Sequence, residues 1–260
     1  MKLLIFLLVI LLIIIIIKKV SSITENFEYP SKKLECAILF TGYNIDKWDY
    51  EFIKKWHNDI KIYFIPNIDE KTTEESKKMT NKIKELHNVT TFERQNIGWD
   101  ATAWKECIEK YYNELKIYDE VIMMNNSMNY EKLDMKQITE MAINYDVYGI
   151  FYTQLMKHNE SYFTGFNKRT FNSKDFRDFY FKHFPVIESH GDAVIDYEMA
   201  ITRYFEKKGY SFGSFIPNKM PHSLMYSTLP NVVDLNDVKY VTKKTHLKNQ
   251  DNYNKWRKIK

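Results

Sequence analysis

The chain has two cysteines in 260 residues, too few for a disulfide framework. CxxC and HExxH spacings are absent, as is any Ser-His-Asp signature, and the seven histidines are scattered without ligand spacing. This removes the simplest zinc, redox and serine-hydrolase readings. There is no GxGxxG turn and no P-loop lysine, so the two commonest phosphate-cradling motifs are missing as well. Internal repeats, Gly/Ser/Pro linkers and nucleic-acid-binding motifs are lacking too. The formal charge of +4 comes from the ends: outside Lys2, Lys18, Lys19 and a tail with seven Lys/Arg against one Asp from Lys243 onward, residues 20–242 hold 28 basic and 33 acidic side chains. A basic tail of this kind lies on anionic lipid or is simply solvated.

What is present begins with an apolar run. Leu3 to Ile17 is fifteen consecutive Leu, Ile, Val or Phe residues between Lys2 and Lys18-Lys19. As a helix it reaches about 22 Å, short of the roughly 30 Å hydrocarbon core, and snorkelling lysines with local thinning cover the deficit. With no small-x-small cleavage site after it, an uncleaved anchor is expected over residues 1–20 in preference to a cleaved signal peptide, followed by a linker over 21–34. Lysines on both sides leave the side of the membrane open.

The remainder, 35–245, reads as one domain, with the basic tail over 246–260. About 230 residues and 16% aromatics suffice for a single core. Short apolar runs at 36–43 and 60–66 alternate with helical spacing at 47–57 and 72–87. A strand ending in a polar turn, a helix through Trp104 and Tyr111, and a second strand ending at Ser127 continue the pattern. Alternation of this kind predicts a mainly parallel sheet with helices on both faces. The second half predicts helices over 134–145, 175–184 and 197–208 and strands over 146–152, 161–171 and 210–216. No crossover helix precedes the 161–171 strand, so the sheet is expected to be mixed. Cys36 and Cys107 fall on apolar faces and read as buried thiols.

Two blocks stand at strand ends, where ligands bind in open α/β sheets. The first is Asn96-x-Gly98-Trp99-Asp100-x-x-Ala103-Trp104-Lys105. The second is Tyr118-Asp119-Glu120-Val121-x-Met123-Met124-Asn125-Asn126-Ser127. With Asp146-Val-Tyr-Gly149, His158-x-x-Ser161-Tyr162-Phe163 and Tyr197-Glu198-x-x-x-Thr202-Arg203-Tyr204, the chain resembles the rhamnan synthesis protein F family of glycosyltransferases over roughly residues 36–245. That family's pattern is close to N-x-G-[YW]-D-x-x-[AG]-W-K followed by Y-D-E-V-x-x-x-N-D-S.

The resemblance implies a GT-A-like, Rossmann-type fold and transfer of a sugar, typically rhamnose, from a nucleotide-sugar donor to a glycan or glycoconjugate acceptor. Asn96, Gly98 and Asp100 then hold the nucleoside; Lys105 reaches phosphate, and Arg203 pairs with phosphate or with Glu198. Asn125, Asn126 and Ser127 stand where related enzymes present a metal-binding D-x-D-like motif. Since both residues before Ser127 are amides, Mn2+ or Mg2+ dependence is expected to be weak, with Asn126 the nominal metal position. Glu198, compared with Asp196 and Asp192, is the expected general base. His158, Ser161 and Tyr162 line the acceptor side. Plainer roles stay open for each: Asp100 and Glu198 as helix-capping acids, Lys105 as a solvated lysine, the asparagines as a turn. A fold that keeps the crevice and binds without turnover is the alternative function.

Overall fold

The computed structural model describes residues 34–130, 133–153, 158–216 and 242–243. The anchor expected over 1–20, nearly all of the linker over 21–34 and the tail over 246–260 lie outside the described residues. Among the described residues no helix is long and apolar enough to cross a membrane.

The first half alternates as the spacing predicts: β1 (Cys36–Tyr43), α1 (Lys47–Trp56), β2 (Lys61–Ile68), α2 (Glu74–Lys84), short strands β3 (Val89–Thr91) and β4 (Arg94–Gln95), α3 (Trp99–Leu115) and β5 (Glu120–Asn125). Helix starts are set by local chemistry. Asp46 and Asp49 form a capping box on α1, and the Thr73 hydroxyl caps α2. The second half holds β6 (Met128–Asn129), α4 (Met135–Asn144), β7 (Val147–Thr153), β8 (His158–Asn159), β9 (Phe163–Asn167), α5 (Lys168–Phe171) and α6 (Lys174–Lys182). It ends with α7 (His190–Asp192), a π-helical segment Ala193–Glu198, α8 (Met199–Lys207), β10 (Phe212–Ile216) and β11 (Thr242–Lys243).

The main sheet runs β10-β7-β9-β5-β1-β2-β3, with β4 beside β2 and β8 beside β7. Pairs β10–β7, β5–β1, β1–β2 and β2–β3 are parallel, and β9 is antiparallel to both β5 and β7. The sheet is therefore mixed and mainly parallel. Along β1, Ile38 and Phe40 pack with α1, α2 and α4 on one face, while Ala37 and Leu39 pack with α3, α6 and α8 on the other. Burial of both faces is what the unbroken apolar runs require. Cys36 and Cys107 are free, buried thiols.

Three boundaries differ from expectation. The strand expected over 161–171 stops at Asn167, because the Asn167 carboxamide accepts from the Thr170 N–H at 2.9 Å and starts a helical turn instead. The helix expected from Tyr197 begins at His190, where Ser189 and Asp192 form a capping box. Its Ala193–Glu198 stretch is π-helical, a local widening that periodicity does not encode.

Candidate functional site

The register brings the ends of three segments together. Thr41 at the end of β1 pairs with Asn125 at the end of β5, and Met124 pairs with Phe163 at the start of β9. Helix α3 starts beside them on Gly98, which has φ 73° and no side-chain cap; Trp99 follows at φ 58°. Two successive left-handed residues make the turn tight, and glycine takes the first at no steric cost. Arg94 braces this turn, donating to Asn67 Oδ1 and the Ile97 carbonyl at 2.6 Å each and to both Glu106 carboxylate oxygens at 2.7 and 3.1 Å. Trp104 pins the helix to β1 by donating its indole N–H to the Leu39 carbonyl at 3.2 Å.

A cavity of about 150 Å³ opens among these elements, lined by Trp99, Asp100, Ala101 and Trp104 of α3, Asn125 and Ser127, Ser161 and Tyr162, and His190, Ala193, Val194, Tyr197 and Glu198. Two carboxyl groups face it. Asn125 Nδ2 donates to Asp100 Oδ2 at 2.8 Å, and Ser127 N–H donates to Asn125 Oδ1 at 3.0 Å. Burial pushes the Asp100 carboxyl up to about 6, against the pull of the Asn125 hydrogen bond and the Arg94 charge. On the other wall Glu198 Oε1 accepts from the Ser161 N–H at 2.8 Å, and Oε2 accepts from the Ser161 hydroxyl at 3.3 Å. His158 Nε2 stands 3.5 Å from Glu198 Oε1. Burial, reinforced by the charge of Glu160, pushes Glu198 up to about 8 despite the Ser161 donors.

Of the residues singled out from the sequence, Asp100, Asn125, Ser127, Ser161, Tyr162 and Glu198 meet at this cavity. His158 is buried directly behind Glu198. Asn96 sits one turn away, on a polar ledge where its Nδ2 donates to Asp69 at 3.1 Å and Tyr43 Oη donates to the other Asp69 oxygen at 2.9 Å.

Five candidates do not converge. Lys105 pairs with Glu109 at 2.7 Å and lies over the Phe184 ring. Arg203 is exposed and off the cavity, five residues and thus well over a turn past Glu198. Asp196 is exposed on the outer side of the π segment, away from the cavity that Tyr197 and Glu198 line. Asn126 turns back over β1: its Nδ2 donates to the Tyr43 carbonyl at 2.9 Å and lies 3.4 Å from Asp49 Oδ2. A Cβ at Gly42 would meet the Asn126 side chain at 2.6 Å, so glycine makes room for this fold-back. Asp192 is a helix cap, accepting from the Glu188 and Ser189 N–H groups.

Sequence reasoning missed His190, whose ring meets Trp99 edge-on with centroids 5.3 Å apart, and gave no site role to Tyr197 of the last motif block, whose hydroxyl is 3.0 Å from that of Tyr180. Arg94 lies two residues before the first motif block, and its partner Glu106 lies about two turns along the following helix.

The donor set does not fit a protein-held divalent ion. Asn126 points away, Asp100 is the one carboxylate beside Asn125 and Ser127, and the described residues include no group of three or more His, Cys, Asp or Glu able to hold a metal. No Lys or Arg among the described residues lines the cavity.

Among solved structures, the chain is similar to the mannosyltransferase PcManGT from Pyrobaculum calidifontis in complex with GDP-Man and Mn2+, with 10% identity, a TM-score of 0.44, and 71% of this chain and 55% of that one covered. It is similar to HddC from Yersinia pseudotuberculosis at 11% identity and a TM-score of 0.41, covering 70% of this chain and 91% of that one. It is also similar to the glycosyltransferase GlyE of Streptococcus pneumoniae at 13% identity and a TM-score of 0.39, covering 70% and 45%. The chain thus spans about half the length of PcManGT and of GlyE. No curated protein sequence matches it. The family profile for rhamnan synthesis protein F matches residues 62–250, a span that contains both walls of the cavity, and the chain belongs to that family.

Proposed function

We propose that the chain is a GT-A-like glycosyltransferase that moves a sugar from a nucleotide-sugar donor to a hydroxyl of a glycan or glycoconjugate. One observation carries the reading: Asp100 and Glu198, from motif blocks nearly a hundred residues apart, line one cavity, and burial raises the proton affinity of both. Neighbouring titratable groups shifted toward neutrality in a cleft are the usual signature of acid-base chemistry.

The cavity is smaller than the roughly 300–1,000 Å³ of pockets that enclose a drug-sized ligand and has no cationic lining. It suits one sugar ring, with the nucleoside outside on the ledge of Tyr43, Asp69 and Asn96 and the turn at Gly98. Asp100 and Asn125 then hold the hydroxyls of the donor sugar. On the opposite wall Glu198, held by Ser161, takes the proton of the attacking acceptor hydroxyl, with Tyr162 shaping the acceptor side. Rhamnose is the first sugar to test. The apolar run Leu3–Ile17 between lysines supports a membrane-attached enzyme whose acceptor is met at the membrane surface.

A panel of nucleotide sugars tests the proposal, with binding and slow donor hydrolysis measured on the full chain. Turnover of one donor class supports it. Binding without hydrolysis or transfer favours a non-catalytic binding protein, a reading supported by the amide at position 126 and by its side chain turning from the cavity. No binding of any donor removes both.

A further inference from the structure

A second cavity, of about 440 Å³, opens between α1 and β6 and is lined by Lys47, Trp48, Glu51, Phe52, Lys55 and Asn129. It is larger than the 150 Å³ cavity of Asp100 and Glu198 and falls within the roughly 300–1,000 Å³ of small-molecule pockets. Its long wall is one face of a helix, because Trp48, Glu51, Phe52 and Lys55 recur at i, i+3, i+4 and i+7. The α1 capping box fixes where that face starts: the Trp48 N–H donates to Asp46 Oδ1 at 2.9 Å. Trp48 is half-buried with Lys47 Nζ 5.1 Å from its ring centre, Phe52 is buried, and Lys47, Glu51 and Lys55 are exposed.

This groove adjoins the cavity of Asp100 and Glu198. Asn129 is two residues past Ser127, which lines that cavity, so at most about 7 Å separates their backbones. One buried side chain joins the two walls: the Phe52 and Tyr130 rings are 5.4 Å apart, and Tyr130 Oη lies 2.5 Å from the Tyr162 carbonyl and 3.0 Å from the Asn125 carbonyl, both on cavity-lining residues.

The lining selects the ligand class. Glu51 repels a lone anion, and an apolar chain would desolvate Glu51 and two lysines without pairing them. A run of sugar rings meets both demands. The C–H face of a pyranose packs on the Trp48 ring, and its hydroxyls, each a donor and an acceptor, match a carboxylate, an amide and two ammonium groups. We propose that the groove between α1 and β6 is a second carbohydrate subsite, which holds neutral sugar units of an oligosaccharide acceptor away from its reacting hydroxyl. The acceptor role rests on the glycosyl-transfer reading; the sugar-binding role does not. An acceptor that fills both cavities is held at two linked points, so its affinity grows with chain length.

The test presents the full chain in detergent to an array of neutral and anionic glycans, from monosaccharides to chains of about six units, and measures donor turnover in parallel. Wild type is expected to bind one class of neutral oligosaccharide about tenfold or more tighter than the matching monosaccharide. Trp48→Ala is expected to remove most of that gain. Glu51→Ala, whose parent side chain is exposed and which therefore decides the matter even if Trp48→Ala does not fold, is expected to reduce it severalfold. The ratio of long to short chains carries the result, since a poorly folded variant loses both alike. No gain with length in wild type would overturn the proposal, as would an equal gain in both variants. So would retention of anionic glycans alone, lost on Lys47→Ala and Lys55→Ala but not on Trp48→Ala, which would make the groove an anion site. A Trp48-dependent gain without turnover of any donor removes the transfer reading and leaves the sugar subsite; turnover without the gain does the reverse.

Discussion

The side-chain amide of Asn125 donates to the Asp100 carboxylate across 2.8 Å, tying the end of β5 to the first turn of α3. Its carbonyl oxygen is held by the Ser127 N–H at 3.0 Å, so both ends of the amide are fixed. The Asn126 amide, one residue on, faces the opposite way, onto the Tyr43 carbonyl. Neighbouring asparagines in one motif thus serve a cavity and a fold, Asn125 as the last residue of β5 and Asn126 as the first of the turn after it.

Aspartate substitutions separate these roles. Asn125→Asp sets a second carboxylate against Asp100, and a divalent ion relieves the repulsion; added Mn2+ is expected to raise the Tm of this variant well beyond any effect on wild type, and chelator to reverse it. Asn126→Asp removes the donor to Tyr43 and brings a carboxylate toward Asp49, for an expected loss of about 1–3 kcal/mol with no response to metal. Urea unfolding with and without Mn2+ measures both. A metal response in Asn126→Asp would mean that its side chain swings into the cavity.

Stability is expected to fall as pH rises above about 5. Glu198 is raised to about 8, Glu120 to about 7 and Asp100 to about 6, each chiefly by burial. A carboxyl whose folded pKa lies above its unfolded value near 4 contributes fully below that value and loses the contribution as pH climbs through the folded pKa. The acids shifted the other way, Asp178 by its lysine partners and Asp192 by backbone donors, lose theirs only below about pH 4. Tm is therefore expected to drop by on the order of 5 °C or more between pH 5.5 and 8.5. Glu120→Gln keeps an acceptor for the Tyr148 hydroxyl, now 2.7 Å from Glu120 Oε2, and is expected to recover part of the loss at pH 8.5 while changing little at pH 5.5. A Tm that rises across this range would refute the assignment of these buried acids as protonated.

The parallel half of the fold was legible because each strand is a short unbroken apolar run and each helix announces its start, as Asp46 and Thr73 do. The mixed sheet was legible from the missing crossover before Tyr162. The site was legible only in part. Sequence spacing places Lys105 and Arg203 near the motifs, but which way a helix rotates depends on packing: Lys105 faces Glu109 and Phe184, and Arg203 faces solvent. The π segment that turns Tyr197 and Glu198 inward while leaving Asp196 outside arises from tertiary packing, with no residue pattern to announce it. His190, in the short helix α7 that precedes the π segment, lines the cavity as well.

Gly98 is expected to tolerate no side chain. Its φ of 73° costs an L-residue about 1–2 kcal/mol, and a Cβ there would lie 2.4 Å from Thr102 Oγ1. Gly98→Ala should lower stability by about 2 kcal/mol and weaken donor binding by displacing Asp100. Adding Thr102→Ala removes the Oγ1 and Cγ2 contacts but leaves the residue-102 Cβ at 2.8 Å and the backbone term, so it should restore only part of the loss. Full recovery in the double variant would show that the contact alone, and no left-handed requirement, selects glycine.

Glu198→Gln separates chemistry from architecture. The substitution keeps size, and the Gln carbonyl can still accept from the Ser161 N–H that now lies 2.8 Å from Oε1, so the β8 turn should stay latched to α8. What disappears is the ability to take a proton. Donor binding is expected to remain within about twofold, while transfer falls by about a hundredfold or more, the usual scale of a lost general base. Asp196→Asn, outside the cavity, is expected to leave transfer close to wild type, which distinguishes the two acids of the same segment. Donor titration followed by single-turnover transfer at pH 8 reads both quantities. Parallel loss of folding, donor binding and transfer in Glu198→Gln would instead make this glutamate a latch for the acceptor wall, and the proton acceptor would have to be sought in Asp100.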